Sequence, residues 1–134
     1  MEEMKNSAME FHDSEVSVID VNSDDVVVKF SAAYVHRSEG QPGVDAGNGY
    51  VQSLELFCSG ARVLIQEEGC VGSISDGKLE TGGVEMNLVP IPFDSNSESS
   101  LEFVFRNGSR FCVKAQRVVL SVKGEAKFIE TFKC

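Results

Sequence analysis

Two imidazoles raise the question of chemistry. His12 stands beside Asp13 and Ser14 in "EFHDSEV", and His36 opens the glycine-rich stretch "HRSEGQPGVDAGNGY" over residues 36–50. An imidazole, a carboxylate and a hydroxyl are the residue types of a hydrolytic relay, and histidines with nearby acids also suit a metal site. Adjacency is the wrong geometry for a relay, however, because successive strand residues point to opposite faces whereas a relay needs groups that converge. No nucleophile elbow, glycine-rich phosphate loop or paired-carboxylate motif accompanies them. The plainer reading has Asp13 or Ser14 closing the turn before the first long strand, with His12 at its rim. A site of His12, Asp13, His36 and Asp45 requires that the two stretches meet in space. No residue is therefore assigned a catalytic or metal-binding role, and no cofactor is expected.

The glycines and Pro42 of residues 36–50 are explained by turning alone, but Arg37, Glu39, Asp45 and Asn48 are not required for it. A connection of this length is longer than an ordinary hairpin loop, and long loops on a rigid scaffold often carry recognition. The candidate binding residues are accordingly His36, Arg37, Glu39, Asp45, Asn48 and Tyr50, with His12 and Asp13 as a second polar cluster.

The elements that must hold these groups read as strands. "SVIDV" and "VVVKFSAAYV" flank the turn residues "NSDD" and form a hairpin over residues 15–36. Two registers compete: Ile19 and Val21 against Val28 and Val26, or Val16 and Val18 against Phe30 and Val28. Around Ser59 and Gly60, "YVQSLELFC" and "ARVLIQE" predict a second hairpin, with Cys58 opposite Ala61, Leu56 opposite Val63 and Leu54 opposite Ile65. In "LEFVFRNGSRFCVKA", a three-residue loop with Gly108 in a bulge pairs Phe103 with Phe111 and Leu101 with Val113, which segregates the faces better than a two-residue Asn-Gly turn. Beyond Ala115 the apolar parity shifts to Val118, Leu120 and Val122, predicting a bend near Gln116; a last strand, "KFIETF", follows Gly124. "VEMNLVPIP" reads as an edge strand with Val84, Met86 and Leu88 inward, ended by its prolines. About eight to ten short strands make an all-β domain, an antiparallel sandwich or barrel with little or no helix.

Composition bounds the rest. A chain of 134 residues with 42% hydrophobic residues fits a single domain over residues 1–134, with residues 1–8 frayed. No apolar run is long enough to span a bilayer, and "MEEMKNSAME" lacks the basic end and apolar middle of a signal peptide, so a cytoplasmic protein without a membrane partner is expected. The four cysteines are scattered without a CxxC pair and read as reduced, packed thiols. Net charge is −9 and unevenly placed: residues 1–100 carry 18 acids against 5 bases, residues 101–134 carry 3 against 7. An acidic field repels phosphates, which argues against nucleic acid. Arg106, Arg110, Lys114, Arg117, Lys123 and Lys127 are expected on outward faces, paired across strands with acids from the first part.

"FHDSEV", followed by a strand, a polar turn and a second strand, resembles the opening of small uncharacterised bacterial proteins, some similar to immunity proteins of toxin systems and others to orphan proteins of mobile gene cassettes. The resemblance covers about residues 10–36 and implies a compact binding protein without cofactor, with Phe11, His12 and Asp13 as its recognisable positions. Two classes of function follow. One is a non-catalytic protein that binds a protein partner, or itself as a homodimer, through a sheet face and the 36–50 loop; the acidic surface suits a basic partner. The other is an enzyme or metal site around His12 and His36, with a small-molecule carrier having an apolar interior as a further alternative.

Overall fold

A computed structural model describes residues 6–133. Its strands are β1 (Asn6–Val21), β2 (Asp25–Ser38), β3 (Gly47–Ser59), β4 (Arg62–Gln66), β5 (Gly72–Thr81), β6 (Val84–Met86), β7 (Leu88–Pro90), β8 (Phe93–Ser95), β9 (Ser99–Phe105), β10 (Arg110–Ala115), β11 (Arg117–Val122) and β12 (Lys127–Phe132). They form one curled antiparallel sheet, a half-barrel, in the order β4-β10-β9-β5-β1-β2-β3-β11-β8, with β12 added to β3, β6 to β5 and β7 to β1. The all-β architecture expected from the strand pattern is what the chain adopts, and no helix occurs among the described residues. β1 starts at Asn6, so residues 6–8 are paired strand rather than frayed terminus; the remainder of that expectation, residues 1–5, lies outside the described residues.

Curling lets the two halves share one core. Phe103 sits at its centre, with Phe11, Phe30 and Phe105 edge-on at ring distances of 5.1, 6.1 and 6.2 Å and Phe111 stacked at 6.4 Å. Phe11, Phe30, Phe103, Phe105 and Phe111 are all fully buried and pack the interior that the two halves share. Gly77 makes room for this cluster: a Cβ there would lie 2.7 Å from the Cβ of Phe11.

The first of the two competing registers holds near the turn of the first hairpin, and of the second only Val16 with Phe30 is formed, since Val18 faces Lys29 rather than Val28. Ile19 faces Val28 and Val21 faces Val26, yet Val16 faces Phe30, because Ser17 is an extra residue on β1 and the ladder slips there. The β9–β10 hairpin has the predicted bulged loop. Phe103 faces Phe111, Leu101 faces Val113, and Gly108 takes a positive φ of 90° while Phe105 N–H donates to the Ser109 carbonyl.

The hairpin expected around Ser59 and Gly60 does not form. Cys58 lies between Val26 and Val118, Leu56 lies between Val28 and Leu120, and β4 pairs instead with β10. Ser59–Gly60 is an arch carrying the chain from one half of the sheet to the other, and Ala61 N–H donates to the Asp24 carbonyl rather than across to Cys58. The apolar faces match the pattern; the partner strands do not. The parity shift near Gln116 is a second arch, since β10 pairs with β9 and β4 while β11 pairs with β3 and β8. "VEMNLVPIP" also divides: β6 joins β5, β7 joins β1, and after the break at Asn87 it is Val89 that is buried while Val84 is exposed. Buried Cys58 and Cys70 and half-buried Cys112 are free thiols, and burial pushes the Cys58 thiol up to about 12.

Four of the six late cations pair as expected. Arg106 meets Asp13 at 2.9 Å, Arg110 meets Glu67 at 3.3 Å, Arg117 meets Asp94 at 2.7 Å and Lys123 meets Glu55 at 4.0 Å. Hydrogen bonds from Arg117 and Arg110 hold the Asp94 and Glu67 carboxyls below the usual carboxylate range. Lys114 and Lys127 have no ion-pair partner among the described residues, which departs from the expectation.

Candidate functional site

The two histidine stretches do meet, through a residue that sequence reasoning passed over. Glu10 Oε1 lies 2.7 Å from His36 Nε2, and Glu10 Oε2 lies 3.7 Å from His12 Nδ1. Asp13 Oδ2 is 3.2 Å from the same His12 nitrogen, and Asp13 Oδ1 accepts from Arg106 at 2.9 Å. A polar string therefore runs Arg106, Asp13, His12, Glu10, His36 across β1 and β2.

Backbone irregularity makes this possible. Between the pairs Glu10–Tyr34 and Glu15–Ala32, β1 carries more residues than β2, and Asp13 takes a positive φ of 68° within that bulge. The left-handed residue breaks strict alternation, so neighbouring His12 and Asp13 come together instead of pointing apart. No turn precedes the strand here, contrary to the capping role expected of Asp13 or Ser14. Ser14 is fully buried and ties the bulge closed: its hydroxyl donates to the Glu10 carbonyl at 2.5 Å and accepts from Tyr34 N–H at 2.9 Å. Committed in this way, it is not placed as a nucleophile. Among the described residues no three His, Cys, Asp or Glu side chains converge as a metal site requires.

On the outer face beyond Glu10 lies a row of rings. His36, 91% buried (9% exposed), sits between Tyr34 and Phe132, with ring centroids 5.1 Å away on each side, and stacks on Phe132 at 29°. Its Nδ1 is buried with no hydrogen-bond partner. Tyr34 donates to Glu130 at 2.5 Å, and burial first, then that carboxylate, holds its phenol above the ordinary value. The rings pack this closely because Gly49 lies beneath them: a Cβ there would meet Tyr34 Oη at 2.3 Å and Phe132 Cε2 at 3.1 Å. On the other face of the same strands Arg37 stacks over Tyr50 at 4.6 Å, and Tyr50 meets Phe128 edge-on at 5.9 Å.

The loop itself is shorter than its sequence suggests. β2 runs to Ser38 and β3 begins at Gly47, with Ser38 opposite Gly47, so only residues 39–46 are loop. Asp45 serves that turn, accepting from Gln41 N–H at 2.6 Å while its own N–H donates to the Gln41 carbonyl at 2.9 Å. Asn48 bridges strands, accepting from Thr131 at 3.1 Å, and Glu39 is exposed. Gly40, Gln41 and Pro42 wall a cleft of about 460 Å³ against Asn6, Pro90 and Ile91, whereas none of the six candidate loop residues lines it. His12 and Glu10 border a smaller hollow of about 240 Å³ with Asp76 and Asn87.

Of the predicted residues, then, His12, Asp13 and His36 come together; Arg37, Tyr50 and Asn48 brace the adjoining strands; Glu39 and Asp45 stand apart on the turn. Glu10, Tyr34, Glu130 and Phe132 were not anticipated. A signal existed, because Glu10 with His12 and Tyr34 with His36 are two-residue spacings that put each pair on one strand face. No protein-family model, curated protein or solved structure matches this chain.

Proposed function

We propose that the protein is a non-catalytic binding protein whose outer face, around Tyr34, His36 and Phe132, receives a cationic side chain of a basic protein partner. The observation that carries this reading is the ring row flanked by two carboxylates, Glu10 bonded to His36 and Glu130 bonded to Tyr34. Aromatic faces attract a Lys or Arg head group through their quadrupoles, and flanking carboxylates add charge-assisted hydrogen bonds. The net charge of −9 favours a basic partner.

The test uses a labelled Lys/Arg-rich peptide and fluorescence anisotropy. The expected result is saturable binding that weakens with salt and falls about tenfold or more in Phe132→Ala and in Glu130→Gln. Asp20→Asn, which removes a charge near the other end of β1, should retain most of it. Absence of binding overturns the reading, as does an equal loss in Asp20→Asn. A dimer in sedimentation that Phe132→Ala dissolves also overturns it, because the face then belongs to a second copy.

A further inference from the structure

We infer that a groove at the opposite end of β3, walled by Arg62 and Lys114, binds a small dianion of the phosphate-monoester class. Three crossings between the halves of the sheet converge there: Ser59–Gly60 between β3 and β4, Gln116 between β10 and β11, and residues 96–98 between β8 and β9. Together they leave a groove of about 620 Å³ lined by Gly60, Arg62, Asn96, Glu98, Lys114 and Gln116.

The decisive feature is a register position. Arg62 on β4 lies directly opposite Lys114 on β10, and neither has an ion-pair partner among the described residues. Like charges directly opposite on neighbouring strands are destabilising. In a chain with 21 acids against 12 bases, acidic partners are plentiful, and Arg106, Arg110, Arg117 and Lys123 all have one. Two facing cations without a contact ion pair, with Glu98 in the groove and Glu80 beside Lys114 in a neighbouring hollow, leave a place for an anion from outside.

Charge and donor type narrow its class. Two cations match a dianion, and a phosphate monoester carries about −1.5 to −2 at neutral pH with several acceptor oxygens. Guanidinium and ammonium together suit such a group, the first as a planar fork and the second as a point charge. The side-chain amides of Asn96 and Gln116 supply further donors at the wall. Glu98 lines the same groove and disfavours bare oxyanions; its carboxylate accepts a hydrogen bond from a hydroxyl of the ester's alcohol part. A hydroxylated monoester therefore fits better than inorganic phosphate.

The experiment titrates the full chain with glycerol phosphate at constant ionic strength, chloride replacing the ester in the control, and follows the thermal midpoint and the heat of binding. A saturable rise in midpoint is expected, larger than that from inorganic phosphate. Arg62→Gln and Lys114→Gln should each weaken binding about tenfold or more, and the double variant should abolish it. Lys123→Gln, an exposed cation at the far end of β11, should leave it unchanged. All three positions are exposed, and each variant's midpoint without ligand reports its folding. The inference is overturned if the ester does no more than chloride, if inorganic phosphate binds better than the ester, or if Lys123→Gln loses as much as Lys114→Gln.

Discussion

The two ends of β3 treat charge in opposite ways. At the Gly47 end, Glu10 meets His36, Glu130 accepts from Tyr34 and Asp45 closes its own turn, so the polar groups are largely answered by their neighbours. At the Ser59 end, Arg62 and Lys114 face each other and neither makes an ion pair among the described residues, although Glu98 lines the same groove. The first end holds the residues that attract attention by type, two histidines and their acids. The second holds an arginine and a lysine that no motif marks. Residue type shows where chemistry is available, whereas an ion pair left unmade appears only once register is known.

The sharpest way to break this comparison is to disturb the packing of the Gly47 end. A Cβ on Gly47 would lie 2.1 Å from the Arg37 carbonyl oxygen, which is backbone and cannot move aside. Gly47→Ala should cost about 3 kcal/mol in urea unfolding, at the upper end of ordinary single substitutions. A loss within about 0.5 kcal/mol would show that the β2–β3 tip is far looser than described.

Removing an answered charge comes next. Glu10→Ala leaves the buried His36 imidazole without its carboxylate and should destabilise by about 1–3 kcal/mol, with Glu10→Gln recovering part of the loss. Glu98→Gln, at the arch end, has no such partner and should move the denaturation midpoint little. Equal effects at the two sites would erase the distinction between the ends.

The smallest effect concerns Tyr34. Its phenol is raised above the ordinary 10.0 in the folded chain, so the folded state keeps a proton that the unfolded state releases first. Its contribution is therefore intact below about pH 10 and is lost as pH climbs toward the raised value. Tyr34→Phe should flatten the fall in thermal midpoint above that pH. A wild-type slope identical to the variant's would mean that neither burial nor the Glu130 bond raises the Tyr34 phenol in the folded chain.

Strand positions and faces were largely legible, because burial imposes a period of two: the β9–β10 loop followed from keeping Phe103 and Phe111 on one side, and the bend at Gln116 followed from the parity change. Pairing partners were harder. Ser59–Gly60 satisfies a hairpin and an arch equally well, since Leu54, Leu56, Val63 and Ile65 face a shared interior in either arrangement; only the positions of β2, β10 and β11 decide between them. The first hairpin stayed ambiguous for a related reason. One extra residue, Ser17, lets the Ile19–Val28 register give way to the single pair Val16–Phe30, and a bulge leaves little mark on hydrophobic periodicity. Within the site, the bulge around Asp13 brought His12 and Asp13 together against the rule of alternation, and Glu10 was overlooked because its partner lies on another strand.

The arch at Ser59–Gly60 also bears on how the chain reaches this structure. A hairpin would let β3 and β4 zip together at once, at small loop-closure cost. With an arch, β4 must wait for β10, a strand that follows it by more than forty residues and itself assembles on β9. The local β9–β10 hairpin can form early, while the edge it offers to β4 is completed only after a long loop has closed. Dependence on such distant pairing is the topological feature that slows folding in all-β domains.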